Sequence, residues 1–122
     1  MAFLDDDKKA KLNKFTAFAI KTLKIEHPPK VLIQNGKFSL VTTANYDYTD
    51  EQKVIKVNGK NRATVDIMRS IAHELVHHKQ FEKGQLKEKP ADIASNEENE
   101  ANSKAGALIK MFALKDSTIY DE

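Results

Sequence analysis

The chain contains no cysteine. That absence excludes a disulfide scaffold, cysteine-ligated zinc and thiol catalysis together, so any metal must be held by histidine and carboxylate. No apolar run approaches the roughly 20 residues that a membrane-spanning helix needs, and no membrane partner is expected. The first residues, Met1-Ala2-Phe3-Leu4-Asp5-Asp6-Asp7-Lys8, are acidic where a signal peptide is basic, and the expectation is a cytoplasmic protein. An excess of one charge is also missing. Lys and Arg total 20 against 18 Asp and Glu, and the basic residues are scattered, which is not the footprint of a specific nucleic-acid binder. No internal repeat or low-complexity tract stands out. Residues 1–122 are read as one domain, with 1–4 and 115–122 as loose termini. A chain of this length removes about two thirds of its unfolded surface from water, enough for a core.

Asp5 to about Ile25 has helix-forming composition, an acidic first turn, and Leu12, Phe15, Phe18, Ala19 and Leu23 along one side. His27-Pro28-Pro29 ends it, and His27 reads as a loop residue. Val31–Gln34, Asn35-Gly36 and Lys37–Thr43 read as a β-hairpin, because Asn-Gly supplies the two positive-φ residues of a type I′ turn. A loop with Tyr46 and Tyr48 follows, then a third strand over Gln52–Val57, closed by Asn58-Gly59. The fold class expected is α+β, with a small, mainly antiparallel three-stranded sheet set between an N-terminal helix and two later helices.

The second helix is expected from Thr64, as N-cap, to about Lys83, with Gly84 at C′. It carries His73-Glu74-Leu75-Val76-His77, the pattern H-E-x-x-H. Histidines four apart on a helix stack on one face with Cβ atoms roughly 5–6 Å apart, close enough to share one Zn²⁺ at roughly 2.0–2.1 Å. Glu74, about 100° further round, reaches a water on the open side of the metal rather than the metal itself, which is where a general base belongs. On the wheel Ile67, Met68, Ile71, Ala72, Leu75 and Val76 form one apolar arc. Asp66, Ser70, His73 and His77 lie opposite, so the two histidines read as polar-face rather than core residues. His78 points back towards the apolar arc and is a poor ligand. The bland alternative is a pair of solvated histidines.

Two histidines do not make a stable zinc site, and the place to look for a third ligand is the last helix. It follows a charged connector, residues 85–90, begins between Pro90 and Glu97, and runs to about Leu114. Ala94, Ala101, Ala105, Leu108, Ile109 and Phe112 define its apolar stripe, and Glu98 falls within that stripe, where a carboxylate needs a partner. Glu97 sits to the side and Glu100 towards solvent, leaving them as lesser candidates. Ser95 and Glu98 also have capping-box spacing, which would make Glu98 a helix-end residue with no metal. Asn102, one turn after Glu98, faces the same way and could hydrogen-bond a ligand imidazole.

His73-Glu74-Leu75-Val76-His77 followed by Glu98-Asn99-Glu100-Ala101-Asn102 resembles the gluzincin arrangement, H-E-x-x-H plus a later helix with E-x-x-A-D. The longer run Ala72–Gln80 is similar to small zincin-like proteins of bacteriophage and bacterial genomes, and the resemblance covers roughly residues 52–112. It implies a minimal zincin-like fold and a metallopeptidase, with His73, His77 and Glu98 on zinc and Glu74 activating water. It also implies a sheet edge strand, matched by residues 52–57, that aligns an extended peptide. Asn102 stands where the family pattern has Asp, and most of the C-terminal subdomain that builds substrate pockets in larger gluzincins is expected to be missing.

The function expected is therefore zinc-dependent hydrolysis of peptide bonds, with a peptide or protein substrate. The second reading is a catalytically inactive binding or regulatory protein with structural zinc. A metal-free domain and a metal-dependent hydrolase of some other substrate are the remaining alternatives.

Overall fold

The computed structural model describes residues 6–34, 44–47, 53–83 and 96–120, with residues 44–47 described by their backbone. In order these are helix α1 (Asp6–Thr22), strands β1 (Lys30–Gln34), β2 (Ala44–Asp47) and β3 (Val54–Asn58), helices α2 (Thr64–Glu82) and α3 (Asn96–Ala113), and a short 3-10 turn, Ser117–Tyr120.

Helix α1 begins on the acidic pair Asp6 and Asp7 and buries Leu12, Phe15 and Ala19, residues spaced to fall on one face. It stops at Thr22, short of the expected Ile25, because the chain turns into the left-handed region at Lys24, φ 57°. The Ile25 N–H reaches the Ile20 carbonyl at 3.1 Å and the Lys24 N–H reaches that of Lys21 at 3.1 Å, the two bonds of a Schellman ending.

The sheet corrects the sequence expectation most. Its strand order is β1-β3-β2, with β1 parallel to β3 from Lys30↔Val54 to Gln34↔Asn58. Only β2 runs antiparallel, pairing Ala44↔Val57 to Asp47↔Val54. Helices and a small sheet are compatible with the α+β class, but the mainly antiparallel sheet is overturned. Two further points change with it. The stretch around Tyr46, expected to be a loop, contains β2, and β3, which falls largely within the stretch expected to be an edge strand, is the central one. The physical reason lies in β3. Ile55 and Val57 are fully buried while Lys56 between them is exposed, so this strand carries the alternation that seats a sheet on the core and takes the middle position. The Asn35-Gly36 turn and the returning strand 37–43 lie outside the described residues.

Helix α2 is the centre of the core: Ile67, Met68, Ile71, Ala72, Leu75 and Val76 are all buried. It packs against α1, the sheet and α3. Its N-cap is Ala63, which makes no side-chain cap, rather than Thr64, which is buried as the first helical residue. The Ala63 carbonyl instead accepts the Asp66 and Ile67 N–H groups at 3.0 and 3.1 Å. Gly84 and Ser95, expected at a C′ position and in a capping box, lie outside the described residues. Helix α3 buries Ala101, Ala105, Leu108, Ile109 and Phe112, and its small residues permit close approach of the two helix backbones. Phe112 meets Phe15 edge-on at 5.4 Å between ring centroids, tying α3 to α1. The expected loose end is partly ordered, since Ile119 is fully buried and Lys11 Nζ donates to the Thr118 carbonyl at 3.1 Å. No helix among the described residues is long and apolar enough to cross a membrane.

Candidate metal centre

Regular helix through residues 64–82 puts His73 and His77 one turn apart, and their rings meet edge-to-face, with centroids 4.7 Å apart at 84°. Their Nε2 atoms converge to 3.2 Å. Helix α3 brings Glu98 over the pair because Glu98 lies on the stripe of Ala101 and Ala105, the face packed into the core. Glu98 Oε1 stands 3.4 Å from His73 Nε2, and Oε2 stands 3.1 Å from His77 Nε2. Oε1 also lies 3.3 Å from His77 Nε2, so two ring nitrogens and one carboxylate oxygen form a triangle with edges of 3.2, 3.3 and 3.4 Å. Among the described residues this is the one group of three or more such side chains with ligand atoms close enough to hold a metal ion.

The wheel misplaced one of these residues. His77 is 4% exposed, a core position, because α3 covers what α2 alone would present to solvent. The His73 side chain is 23% exposed and that of Glu98 15%, so the cluster opens on the His73 side. Burial holds the His73 pKa below its usual value, and the neighbouring His77 adds to this, while Glu98 and the Asn102 side chain, both hydrogen-bonded to the ring, push the other way. A ring biased towards neutrality is the form that binds metal. Asn102 therefore does contact a cluster imidazole, from one turn beyond Glu98.

Glu74, next in sequence to His73, is half-buried and makes no edge of the triangle. Burial raises its carboxyl to about 7; the negative Glu98 adds to the effect and His77 partly offsets it.

The other two acids near the start of α3, Glu97 and Glu100, are not part of the group. Glu97 offers its backbone carbonyl to Gln80 Nε2 at 2.9 Å. Glu100, expected to face solvent, accepts from the same Nε2 at 2.8 Å and pairs with Lys104 at 3.1 Å. The Gln80 bond is the main cause holding its carboxyl below the usual range.

Gln80 is the residue that sequence reasoning missed. It is 1% exposed, and its Oε1 lies 2.8 Å from His77 Nδ1. The available signal was spacing: a residue three after His77 shares its helix face.

His78 turns away from the cluster, as read from the sequence. It is 1% exposed, its Nε2 lies 2.7 Å from the His27 carbonyl oxygen, and Glu82 Oε2 stands 3.4 Å away. Glu82 also accepts the Glu26 and His27 N–H groups at 3.1 and 2.8 Å, anchoring the turn before β1. A cavity of about 560 Å³ lies there, lined by His27, Lys53, His78, Phe81 and Glu82 among others and by no cluster residue. His27 contributes backbone alone to these contacts.

Compared with known proteins, the chain matches no protein-family model, no curated protein and no solved structure.

Proposed function

We propose that the chain is a zinc-dependent metallopeptidase in which His73, His77 and Glu98 hold the metal and Glu74 is the general base. The observation that carries this reading is the triangle of His73 Nε2, His77 Nε2 and Glu98 Oε1, with edges of 3.2–3.4 Å. Three ligands around a tetrahedral zinc, each at about 2.0–2.1 Å, stand about 3.3–3.4 Å from one another, so the donor set fits without moving either helix. Two imidazoles and one carboxylate are also the donors of a catalytic rather than a purely structural zinc, which leaves a fourth position for water or substrate.

A bound zinc ion supplies a Lewis acid that acidifies water towards a pKa of about 7 and polarises a carbonyl. The chain's own residues do the rest. Glu74 takes a proton from the water that attacks the scissile carbonyl carbon, then gives it to the amine nitrogen as the C–N bond breaks. Its desolvated surroundings raise its proton affinity, as suits a group that must accept a proton before returning it. His73, kept towards neutrality, stays available as a ligand.

The test is cleavage of an unbiased peptide library by zinc-loaded wild type and Glu74→Gln. Cleavage by wild type that a chelator abolishes, and that falls by about 10²–10⁴-fold in the variant, supports the reading. Equal cleavage by both proteins would refute the role of Glu74. Tight zinc binding with no turnover by wild type would make the chain a zinc-binding protein of another kind.

A further inference from the structure

We infer that Gln80 is the positioning residue of this centre, fixing by its amide which nitrogen of His77 is open to a metal. The inference rests on His77 being a ligand.

The direction of the amide can be read from its partners. One end of Gln80 faces the Glu97 carbonyl oxygen at 2.9 Å and Glu100 Oε1 at 2.8 Å, and both of those are acceptors. Only an NH₂ group satisfies two acceptors, and a flipped amide would set one oxygen against two others. The other end, 2.8 Å from His77 Nδ1, is therefore the amide oxygen. An oxygen accepts and cannot donate, so Nδ1 carries the proton and donates it to Gln80. The neutral His77 ring must then leave Nε2 bare. Nε2 is the atom that faces His73 Nε2 at 3.2 Å and Glu98 Oε2 at 3.1 Å. This tautomer is the opposite of the one that predominates for histidine free in water, so the amide is holding the ring against its solution preference.

The chain of contacts is Glu100 to Gln80 to His77, and it starts near the same end of α3 that presents Glu98, two residues after it. One buried side chain on α2 thus contacts two residues at that end of α3, Glu97 and Glu100, while a third, Glu98, faces the histidines. Docking of α3 and orientation of His77 become one event, because the amide cannot satisfy both helices unless that end is in place. The Asn102 side chain hydrogen-bonds the other imidazole, that of His73.

The experiment compares wild type, Gln80→Leu and Gln80→Glu by two readouts, with stability in urea as a control. The first is the ¹⁵N spectrum of the histidine rings in metal-free protein at about pH 8.5, above the ordinary imidazole range of about 6.5. The second is zinc affinity by competition with a chelating dye. Wild type is expected to show His77 protonated at Nδ1, and Gln80→Leu to shift it towards Nε2–H with zinc bound about 10–100-fold more weakly. Gln80→Glu keeps an acceptor for Nδ1–H but sets a carboxylate oxygen against the Glu97 carbonyl and the Glu100 carboxylate, so it should retain the Nδ1–H tautomer while lowering stability in urea. A purely structural role would instead lower stability in both variants and leave the His77 tautomer unchanged in Gln80→Leu. His77 protonated at Nε2 in wild type, or Gln80→Leu binding zinc as tightly as wild type, would overturn the inference. If wild type binds no zinc, the metal-centre reading falls, and the ring spectra alone still decide whether Gln80 orients His77.

Discussion

Replacing Glu74 by Gln in the metal-free protein should make the fold more stable at neutral and alkaline pH. The Glu74 carboxyl stands at about 7 against 4.5 for an ordinary glutamate. The folded state therefore binds this proton more tightly than the unfolded chain, and the stability it lends is complete below pH 4.5, falls as pH rises through about 7, and is absent above that. A shift from 4.5 to about 7 at 1.36 kcal/mol per unit is about 3 kcal/mol. Glutamine has the same shape and cannot ionise. Urea unfolding of both proteins between about pH 4.5 and 8.5, with a chelator present, isolates the effect, because the two share every other titrating group. The difference in unfolding free energy, variant minus wild type, should grow by about 3 kcal/mol across that range, on the order of 10 °C in melting temperature for a domain of this size. Parallel curves, agreeing to about 0.5 kcal/mol throughout, would refute the argument that burial keeps a proton on Glu74.

Other consequences follow from particular contacts. Asn102→Ala should weaken zinc binding by about 10-fold in a chelator competition by releasing the His73 ring, whereas Asn102→Asp, an acceptor with charge, should bind at least as tightly as wild type. Lys24→Gly should raise stability by about 0.5–1 kcal/mol in thermal melts, because glycine takes the left-handed backbone at that position without the steric cost of a Cβ. Phe112→Ala removes the ring that contacts both Phe15 and Phe18 and should cost about 3–5 kcal/mol, read as a lowered urea midpoint.

The local part of this molecule was legible in its sequence. The apolar spacing of Ile67, Met68, Ile71, Ala72, Leu75 and Val76 is a property of one helix, and so is the stacking of His73 over His77. Glu98 could be singled out for a related reason, since a carboxylate inside an apolar stripe signals a partner on another element. What was not legible depends on which elements meet. The Asn35-Gly36 pair speaks for a local turn and says nothing of where β1 finds its neighbour. Its neighbour among the described strands is β3, more than twenty residues on, in parallel register. His77 looked solvent-facing on its own helix and is buried because α3 lies across it. Gln80 carried no signal by residue type. Its role exists only once His77 Nδ1 and the first turn of α3 stand on either side of it. Thr64 shows the same limit at a helix start: its side chain suits an N-cap, but the core claims it, and Ala63 takes the cap position.

The central claim is a zinc centre on His73, His77 and Glu98, and the most direct measurement of it is zinc per chain by elemental analysis. The protein should be purified without a metal-affinity tag, as wild type and Glu98→Ala side by side. The account predicts close to one zinc per wild-type chain and a clear loss in the variant, because two histidines alone hold the metal poorly. Wild type that carries no zinc after zinc addition and removal of the excess, or a variant that retains it fully, would contradict the account.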